Sequence, residues 1–104
     1  MAAIVVLTTA PDAKTAARLA RALVMKKLAA CVTRLPGARS TYRWKGKLES
    51  AREEVMLVKT DSAKLKKLEM FLKRNHPYET PEFLALRVTR GSSEYLRWLA
   101  GSLR

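Results

Sequence analysis

The sequence predicts an α+β fold in which two helices cover one face of a four-stranded antiparallel sheet. Apolar, β-rich segments and amphipathic helical segments follow one another in the order β-α-β-β-α-β, and a short helix ends the chain. With 104 residues the chain is long enough for one domain, predicted to span residues 1–104. Right-handed crossovers then place both main helices on the same face of the sheet and the first and third strands at its centre.

The first predicted elements are a strand and a helix. The run AIVVLTT at 3–9 is continuous, apolar and rich in β-branched residues, which is typical of a strand with both faces buried. Pro11 lies near a helix start, and Thr9 or Asp12 is available as the N-cap. Apolar residues then recur at helical spacing, which predicts an amphipathic helix over about 12–27.

The next two strands are predicted to form a long hairpin. The segment AACVTRLPGARSTYRW has strand character but is interrupted at Pro36 and Gly37. Because proline cannot donate a hydrogen bond to a neighbouring strand, we expect an edge strand that bends or bulges there. Lys45 and Gly46 predict a short turn, after which KLESAREEVMLVKTD returns as a long strand.

The remaining elements are a helix, a strand and a second short helix. Asp61 or Ser62 can cap the helix, which carries leucines on one side and lysines on the other. This helix is expected to end near His76, because Pro77 disfavours helical geometry in the residue before it. The segment EFLALRVT then predicts the fourth strand, and SSEYLRWLAGSLR predicts the terminal helix.

The two central strands do not alternate between apolar and polar residues, as IVVL and VMLV show. A two-layer fold should leave the second face of the sheet in water, so these strands predict that something apolar covers that face. The terminal helix is too short to cover it alone, and another subunit is the simplest solution. Replacing Val6 with lysine is then expected to dissociate or unfold the assembly.

The charge of the chain is strongly positive: 21 Lys and Arg stand against nine Asp and Glu, a net charge of +12. This excess favours anionic partners or a solvated positive surface, and it would repel a free divalent cation. The opening apolar run is too short for a signal peptide or a membrane span. A single cysteine, Cys31, is expected to be buried and inert, and it fits a reducing compartment. We therefore expect a cytoplasmic protein with no membrane association.

Six segments resemble the CutA1 divalent-cation tolerance family: VVLTTAPD, KLAACV, PGARSTYRWKGK, VKT, HPYETPE and YLRWLAGSLR. They follow the family's order and spacing from Ile4 to Arg104. The resemblance implies a ferredoxin-like fold, related to the trimeric PII signalling proteins, and a thermostable homotrimer. It also implies a role in tolerance to copper and other divalent ions, and it agrees with the covered sheet face inferred above.

The only histidine, His76, is the candidate metal ligand. Imidazole suits copper and zinc, and His76 is followed closely by Glu79 and Glu82. The copper-binding pattern of the family has a cysteine at the end of the first strand and a histidine pair before Pro-Tyr, whereas this chain has Thr8 and Asn75 at two of these three positions. We therefore expect no required cofactor and at most weak binding of Cu(II) or another divalent metal. The alternative role of His76 is to cap the helix and hydrogen-bond a carbonyl group.

Five residues are predicted to form a ligand or interface cleft. Tyr42 and Trp44 alternate along the second strand, so both side chains leave the same face. They are candidates for a subunit contact, a cleft wall or a stacking platform for bases. Lys59, Tyr78 and Glu79 lie in segments that match the family, and they are predicted to meet at a cleft between neighbouring chains or in a buried interface network.

The remaining motifs disfavour nucleic-acid binding and catalysis. RNA-recognition motifs share the predicted element order but carry aromatic residues on their third strand, where this chain has AREEVMLVKT. The sequence contains no glycine-rich phosphate loop, CxxC or HExxH motif. The predicted function is a non-enzymatic, trimeric protein of divalent-cation tolerance. The alternatives are a PII-like sensor of a small anionic metabolite and a structural trimer that anchors another protein.

Overall fold

The computed structural model describes residues 2–104 and confirms the predicted order of elements. Neighbouring strands are antiparallel in the order β2-β3-β1-β4, so β1 and β3 are central and β2 is an edge strand, as predicted. Among residues 2–104, none of the helices combines the length and the apolar character that crossing a membrane requires. The elements are β1 (Ala3–Ala10), α1 (Ala13–Met25), β2 (Cys31–Trp44), β3 (Lys47–Asp61), a 3-10 turn (Ser62–Lys64), α2 (Leu65–Asn75), β4 (Leu84–Arg87) and α3 (Ser93–Ser102).

Local chemistry sets the ends of the helices. Asp12 accepts a hydrogen bond from the backbone N–H of Thr15 at 2.7 Å, so it is the N-cap of α1. Asp61 caps the turn that leads into α2, and it accepts from the N–H two residues later at 2.8 Å. The last residue with helical geometry precedes His76, whose φ of −85° and ψ of 139° are extended, as expected before Pro77.

The hydrophobic core lies between the sheet and the two main helices. Every second side chain of the central strands points towards α1 and α2 and is buried there. Leucines from one side of each helix pack against these strands and are also buried. The largest buried side chains of this core are Leu19, Leu23, Met56, Leu68, Leu72, Val6 and Val58.

The other face of the sheet, here called the open face, is also apolar. Its central strands contribute half-buried side chains, and Leu84 and Leu86 of β4 are 54% and 52% exposed. The strand register places Leu7 between Leu57 and Leu84, so the apolar side chains adjoin one another. The two apolar faces explain why the central strands do not alternate. The open face consists of Val5, Leu7, Leu35, Val55, Leu57, Leu84 and Leu86.

The predicted interruption of β2 is a bulge. Leu35 pairs with Val55, but the next aligned pair is Ala38 with Glu53, so β2 contains one extra residue. Gly37 lies in this bulge with a φ of +78°, in the left-handed region that glycine adopts without strain. Without the bulge, the register set by Leu35 and Val55 would continue until Trp44 paired with Gly46. Only one residue would then remain for the turn. The extra residue makes a two-residue turn possible.

Beyond the bulge, β2 and β3 form an arm, defined as residues 38–53, that extends past the end of β1. Its turn residues, Lys45 and Gly46, have φ values of 51° and 80°, as expected for a two-residue hairpin turn of type I′. Tyr42 and Trp44 lie on the same face of the arm, as predicted. This face continues the open face of the sheet.

Two buried threonines provide a test of core hydrogen bonding. Both Thr8 and Thr60 are fully buried, but only Thr60 donates its hydroxyl, to the carbonyl of Leu28 at 2.7 Å. The hydroxyl of Thr8 has no partner within residues 2–104. Thr8→Val should therefore raise the free energy of unfolding by about 1 kcal/mol, and Thr60→Val should lower it by about 1 kcal/mol. Guanidinium unfolding midpoints measure both changes, and a shift of both variants in the same direction would contradict the interpretation.

Candidate functional site

His76 connects the end of α2 to the end of β1. Its side chain is buried, and its Nε2 lies 2.7 Å from the carbonyl oxygen of Thr9. The backbone N–H of Tyr78 donates to Nδ1 at 3.1 Å. Because Nδ1 acts as an acceptor, the ring proton is on Nε2, which donates to the Thr9 carbonyl. The structure therefore gives His76 the carbonyl contact that was its alternative role.

The residues at the three copper-ligand positions of the family do not fit a preformed metal centre. Thr8 offers a hydroxyl group inside the core, and the side-chain amide of Asn75 donates to the carbonyl of Phe71 at 2.8 Å. A metal at His76 would have to displace one of the two hydrogen bonds of the ring. Within residues 2–104, no group of three or more His, Cys, Asp or Glu residues is placed to hold a metal ion.

Next to His76, a phenol and a carboxylate form a strong hydrogen bond. The hydroxyl of Tyr78 donates to Oε2 of Glu53 at 2.6 Å. Burial raises the pKa of Glu53, but hydrogen bonds from Tyr78, Ser40 and Thr9 outweigh it, so the pKa lies below its ordinary value of 4.5. The pKa of Tyr78 is raised well above its ordinary value of 10.0. Burial is the largest cause, and the hydrogen bond to Glu53 is the second. The pair therefore consists of an ionised carboxylate and a neutral phenol at neutral pH.

Replacing Tyr78 with phenylalanine should lower the free energy of unfolding by about 2 kcal/mol at neutral pH, because a hydrogen bond to a charged, buried group is lost. The lowered pKa of Glu53 means that its ionised form stabilises the fold above pH 4.5, and this contribution disappears as the pH falls through the lowered pKa. The difference between wild type and Tyr78→Phe should therefore shrink in acid. Urea unfolding at a series of pH values measures it.

Tyr95→Phe is the matched control for this prediction, because Tyr95 lies on α3 with 44% of its surface exposed. It should leave the free energy of unfolding within about 0.5 kcal/mol of wild type at every pH. A deficit of Tyr78→Phe that is the same at neutral and acid pH would show that the bond to ionised Glu53 is not its cause.

Four of the five predicted cleft residues line one cavity. Tyr42, Trp44, Tyr78 and Glu79 surround a space of about 780 Å³ between the arm and the segment 77–82. This cavity, called the cleft below, is formed within a single chain, and the predicted contribution of a neighbouring chain stays a prediction. Its volume is in the range of sites for small organic ligands.

The fifth predicted residue, Lys59, lies elsewhere in the chain. Its register partner is Cys31, and its Nζ lies 3.6 Å from the Cys31 sulfur and donates to the hydroxyl of Thr33. Cys31 was expected to be buried, but it is half-buried and lies beside this ammonium group. Lys59 does not line the cleft within one chain. A contribution of Lys59 to a cleft between chains stays a prediction.

Glu53, the buried acid of the cleft, was not among the residues predicted for the site. Glu53 and Glu54 are adjacent, so their side chains leave opposite faces of β3. Glu54 forms an ion pair with Arg34 at 2.9 Å, whereas Glu53 faces the cleft. The residue pattern contains no signal that separates the two, because only the strand register decides which of them faces the phenol of Tyr78.

A family model and similar proteins of known sequence both assign the chain to the same family. The family model described as CutA1 divalent ion tolerance protein matches residues 4–102. A divalent-cation tolerance protein CutA from Pectobacterium atrosepticum is 55% identical over 102 residues, which cover 98% of this chain and 93% of that protein.

Solved structures of similar proteins have the same fold. The crystal structure of CutA from Xylella fastidiosa superposes with a TM-score of 0.96 at 40% identity and covers all of both chains. The structure of a protein from Archaeoglobus fulgidus, described as periplasmic divalent cation tolerance protein CutA, has a TM-score of 0.95 at 38% identity, covering 98% of this chain and 99% of that one.

Proposed function

The chain belongs to the CutA1 divalent ion tolerance family, and from that premise we propose that it is a non-enzymatic homotrimer that acts in divalent-cation tolerance by binding a ligand in the cleft. The observation that carries the binding role is the cleft itself. It brings aromatic rings together with a buried, ionised carboxylate, Glu53, in a space large enough for a small molecule.

The open face supports self-association. It joins half-buried and exposed leucines and valines from all four strands. Apolar surface of this extent is characteristic of subunit contacts, and each Å² of apolar surface removed from water stabilises an assembly by about 25 cal/mol. Burial of this face in a trimer would also account for a thermostable protein.

The surroundings of the reactive side chains support a binding role over catalysis. Both ring nitrogens of His76 are held by backbone groups, which leaves neither free to transfer a proton. Cys31 lies on the same side of the sheet as the open face, and along the strands it is about four positions, or about 13 Å, from Thr9, whose carbonyl contacts His76. The free thiol of Cys31 is compatible with the reducing cytoplasm, where we place the protein.

Direct binding of Cu(II) at His76 is proposed to be weak. The metal would have to replace the Tyr78 N–H or the Thr9 carbonyl as partner of the ring, and the nearby family positions hold Thr8 and Asn75 in place of soft ligands. Tolerance would then depend on the cleft and its ligand rather than on storage of the metal at this histidine.

Growth in the presence of metal tests the proposed function. A strain that lacks this protein is expected to stop growing at lower Cu(II) or Zn(II) concentrations, and the wild-type chain should restore growth. The cleft variant Trp44→Ala should not restore it, whereas Trp98→Ala, a change on α3 outside the cleft, should. Equal growth with and without the protein would overturn the proposal.

Calorimetry separates the alternatives. A tight step of one Cu(II) per chain that is lost in His76→Ala would show a metal-binding protein instead. Salt-sensitive binding of nucleotides or organic acids would favour a sensor of a small anionic metabolite, which the net charge of +12 would attract. A trimer that binds neither metal nor small molecules would favour the structural anchor.

A further inference from the structure

The cleft collects carboxylates although the chain carries a large excess of cations. Glu53, Glu79 and Glu82 line it, which is one third of the acidic residues, against a single basic residue, Lys45. Both ion pairs found within residues 2–104 involve other carboxylates, so none of these three is neutralised by a cation there. The local charge of the cleft is therefore opposite to the charge of the whole protein.

The carboxylates are placed at different depths. Glu53 is only 8% exposed and is held by the hydroxyl of Tyr78, whereas Glu79 and Glu82 are exposed. The pKa of Glu82 is raised, mainly by desolvation and to a smaller extent by the negative charge of Glu53. A cation that enters between Glu53 and Glu82 would relieve this repulsion. The buried charge of Glu53 is the stronger attraction, because less water screens it.

The walls of the cleft are suited to an organic cation. Tyr42 and Trp44 are 43% and 40% exposed and present their rings to the cavity. The ammonium group of Lys45 already lies over the Trp44 ring, 5.8 Å from its centre, so this ring accepts a cation in its present position. Aromatic rings close to carboxylates are the arrangement that recognises alkylated ammonium groups.

A bare metal ion does not match the cleft. Within residues 2–104, no three His, Cys, Asp or Glu residues come together closely enough to hold one. The space of about 780 Å³ is also far larger than a metal with its first ligands needs. The ligand must therefore bring its own volume and apolar surface together with its charge.

We propose that the cleft binds a small organic cation, an alkylammonium or methylammonium compound, with its charge between Glu53 and Glu82 and its carbon atoms against Tyr42 and Trp44. The inference names the ligand class of the cleft and rests on the binding role proposed above. It does not depend on trimer formation or on a contact between Cu(II) and His76.

Fluorescence titration of the full chain tests the ligand class. In a Trp98→Phe background, Trp44 is the remaining tryptophan and reports on the cleft. Choline and putrescine serve as cationic probes, and 3,3-dimethylbutan-1-ol serves as the neutral compound with the shape of choline. We expect at least one cation to give a saturable change, with an affinity about tenfold or more above that of the neutral alcohol.

Two variants locate the charge. Glu82→Gln should weaken binding of the better cation by about fivefold or more, because an unpaired carboxylate of the cleft is removed. Glu94→Gln, which removes a carboxylate of α3 outside the cleft, should leave the affinity unchanged. Circular dichroism of both variants confirms that the fold is retained.

Three results would each overturn the inference: no binding of either cation, equal binding of the neutral alcohol, or an unchanged affinity in Glu82→Gln. The proposed function has a separate readout in growth with Cu(II) or Zn(II). Cation binding without an effect on growth would reject the tolerance role and keep the ligand class. A growth effect without cation binding would keep the tolerance role and reject the ligand class.

Discussion

Leu57→Lys is expected to convert the proposed trimer into single folded chains. Leu57 lies at the centre of the open face, where it pairs with Leu7 of β1 and Thr33 of β2. In a single chain a lysine at this position reaches water, but in the assembly its charge would be buried without a partner, at a cost of several kcal/mol per subunit. Sedimentation should show a change from about 35 kDa, three times the chain mass of 11.7 kDa, to the mass of one chain.

Two further lysine substitutions control this experiment. Val24→Lys lies on the outer side of α1, where the valine is 42% exposed, and should leave the proposed trimer intact. Val6 is fully buried against the helices, so Val6→Lys should unfold the chain and does not report on assembly. This corrects the expectation that Val6 could test the subunit contact. A Leu57→Lys protein that sediments like wild type would show that the open face is not the interface.

His76→Ala is expected to lower the free energy of unfolding by about 3 kcal/mol. The substitution removes the bond to the Thr9 carbonyl and leaves the N–H of Tyr78 without its acceptor. It also removes a ring that packs 4.7 Å from that of Tyr78, centre to centre, and leaves a void in a buried position. Guanidinium unfolding monitored by circular dichroism measures the loss.

His76→Gln is the control that separates hydrogen bonding from metal binding. The glutamine amide can still reach the carbonyl of Thr9, so this variant should recover roughly half of the lost stability in the absence of metal. If His76 served mainly as a metal ligand, both variants would unfold like wild type in a metal-free buffer. A loss below about 0.5 kcal/mol in His76→Ala would contradict the structural role.

Much of the fold follows from local chemistry and could be predicted. Pro77 fixes the end of α2, Asp12 caps α1, and the Lys45-Gly46 turn sets the tip of the hairpin. The length of β4 was overestimated, since the apolar run EFLALRVT forms only the strand Leu84–Arg87. The neighbouring strand β1 continues to Ala10, but there the carbonyl of Thr9 bonds His76 instead of a fourth strand, and the apolar run contains no signal for this tertiary contact.

The candidate site was predictable only where alternation along a strand decides it. Tyr42 and Trp44 share a face because they are two residues apart. Lys59 and Glu53 share a face for the same reason, but they are six residues apart along β3, or about 20 Å. Lys59 was predicted as a site residue because it lies in a segment similar to the family. That similarity contains no information about the distance between Lys59 and Tyr78. The hydrogen bond between Glu53 and Tyr78 depends on where the 77–82 segment returns to the sheet, which local patterns do not contain.

The bulge at Gly37 and the alternation of side chains together limit how many residues can be added to or removed from the arm. The arm tolerates the deletion of one residue at the bulge of β2, because the deletion removes only the extra residue. The strand register of the arm and its two-residue turn are then unchanged. Taking one facing pair, such as Arg43 and Leu48, would rotate Trp44 to the reverse side and open the cleft wall. Variants of the arm that keep both Tyr42 and Trp44 facing the cleft must therefore be longer or shorter by four residues at a time, two in each strand.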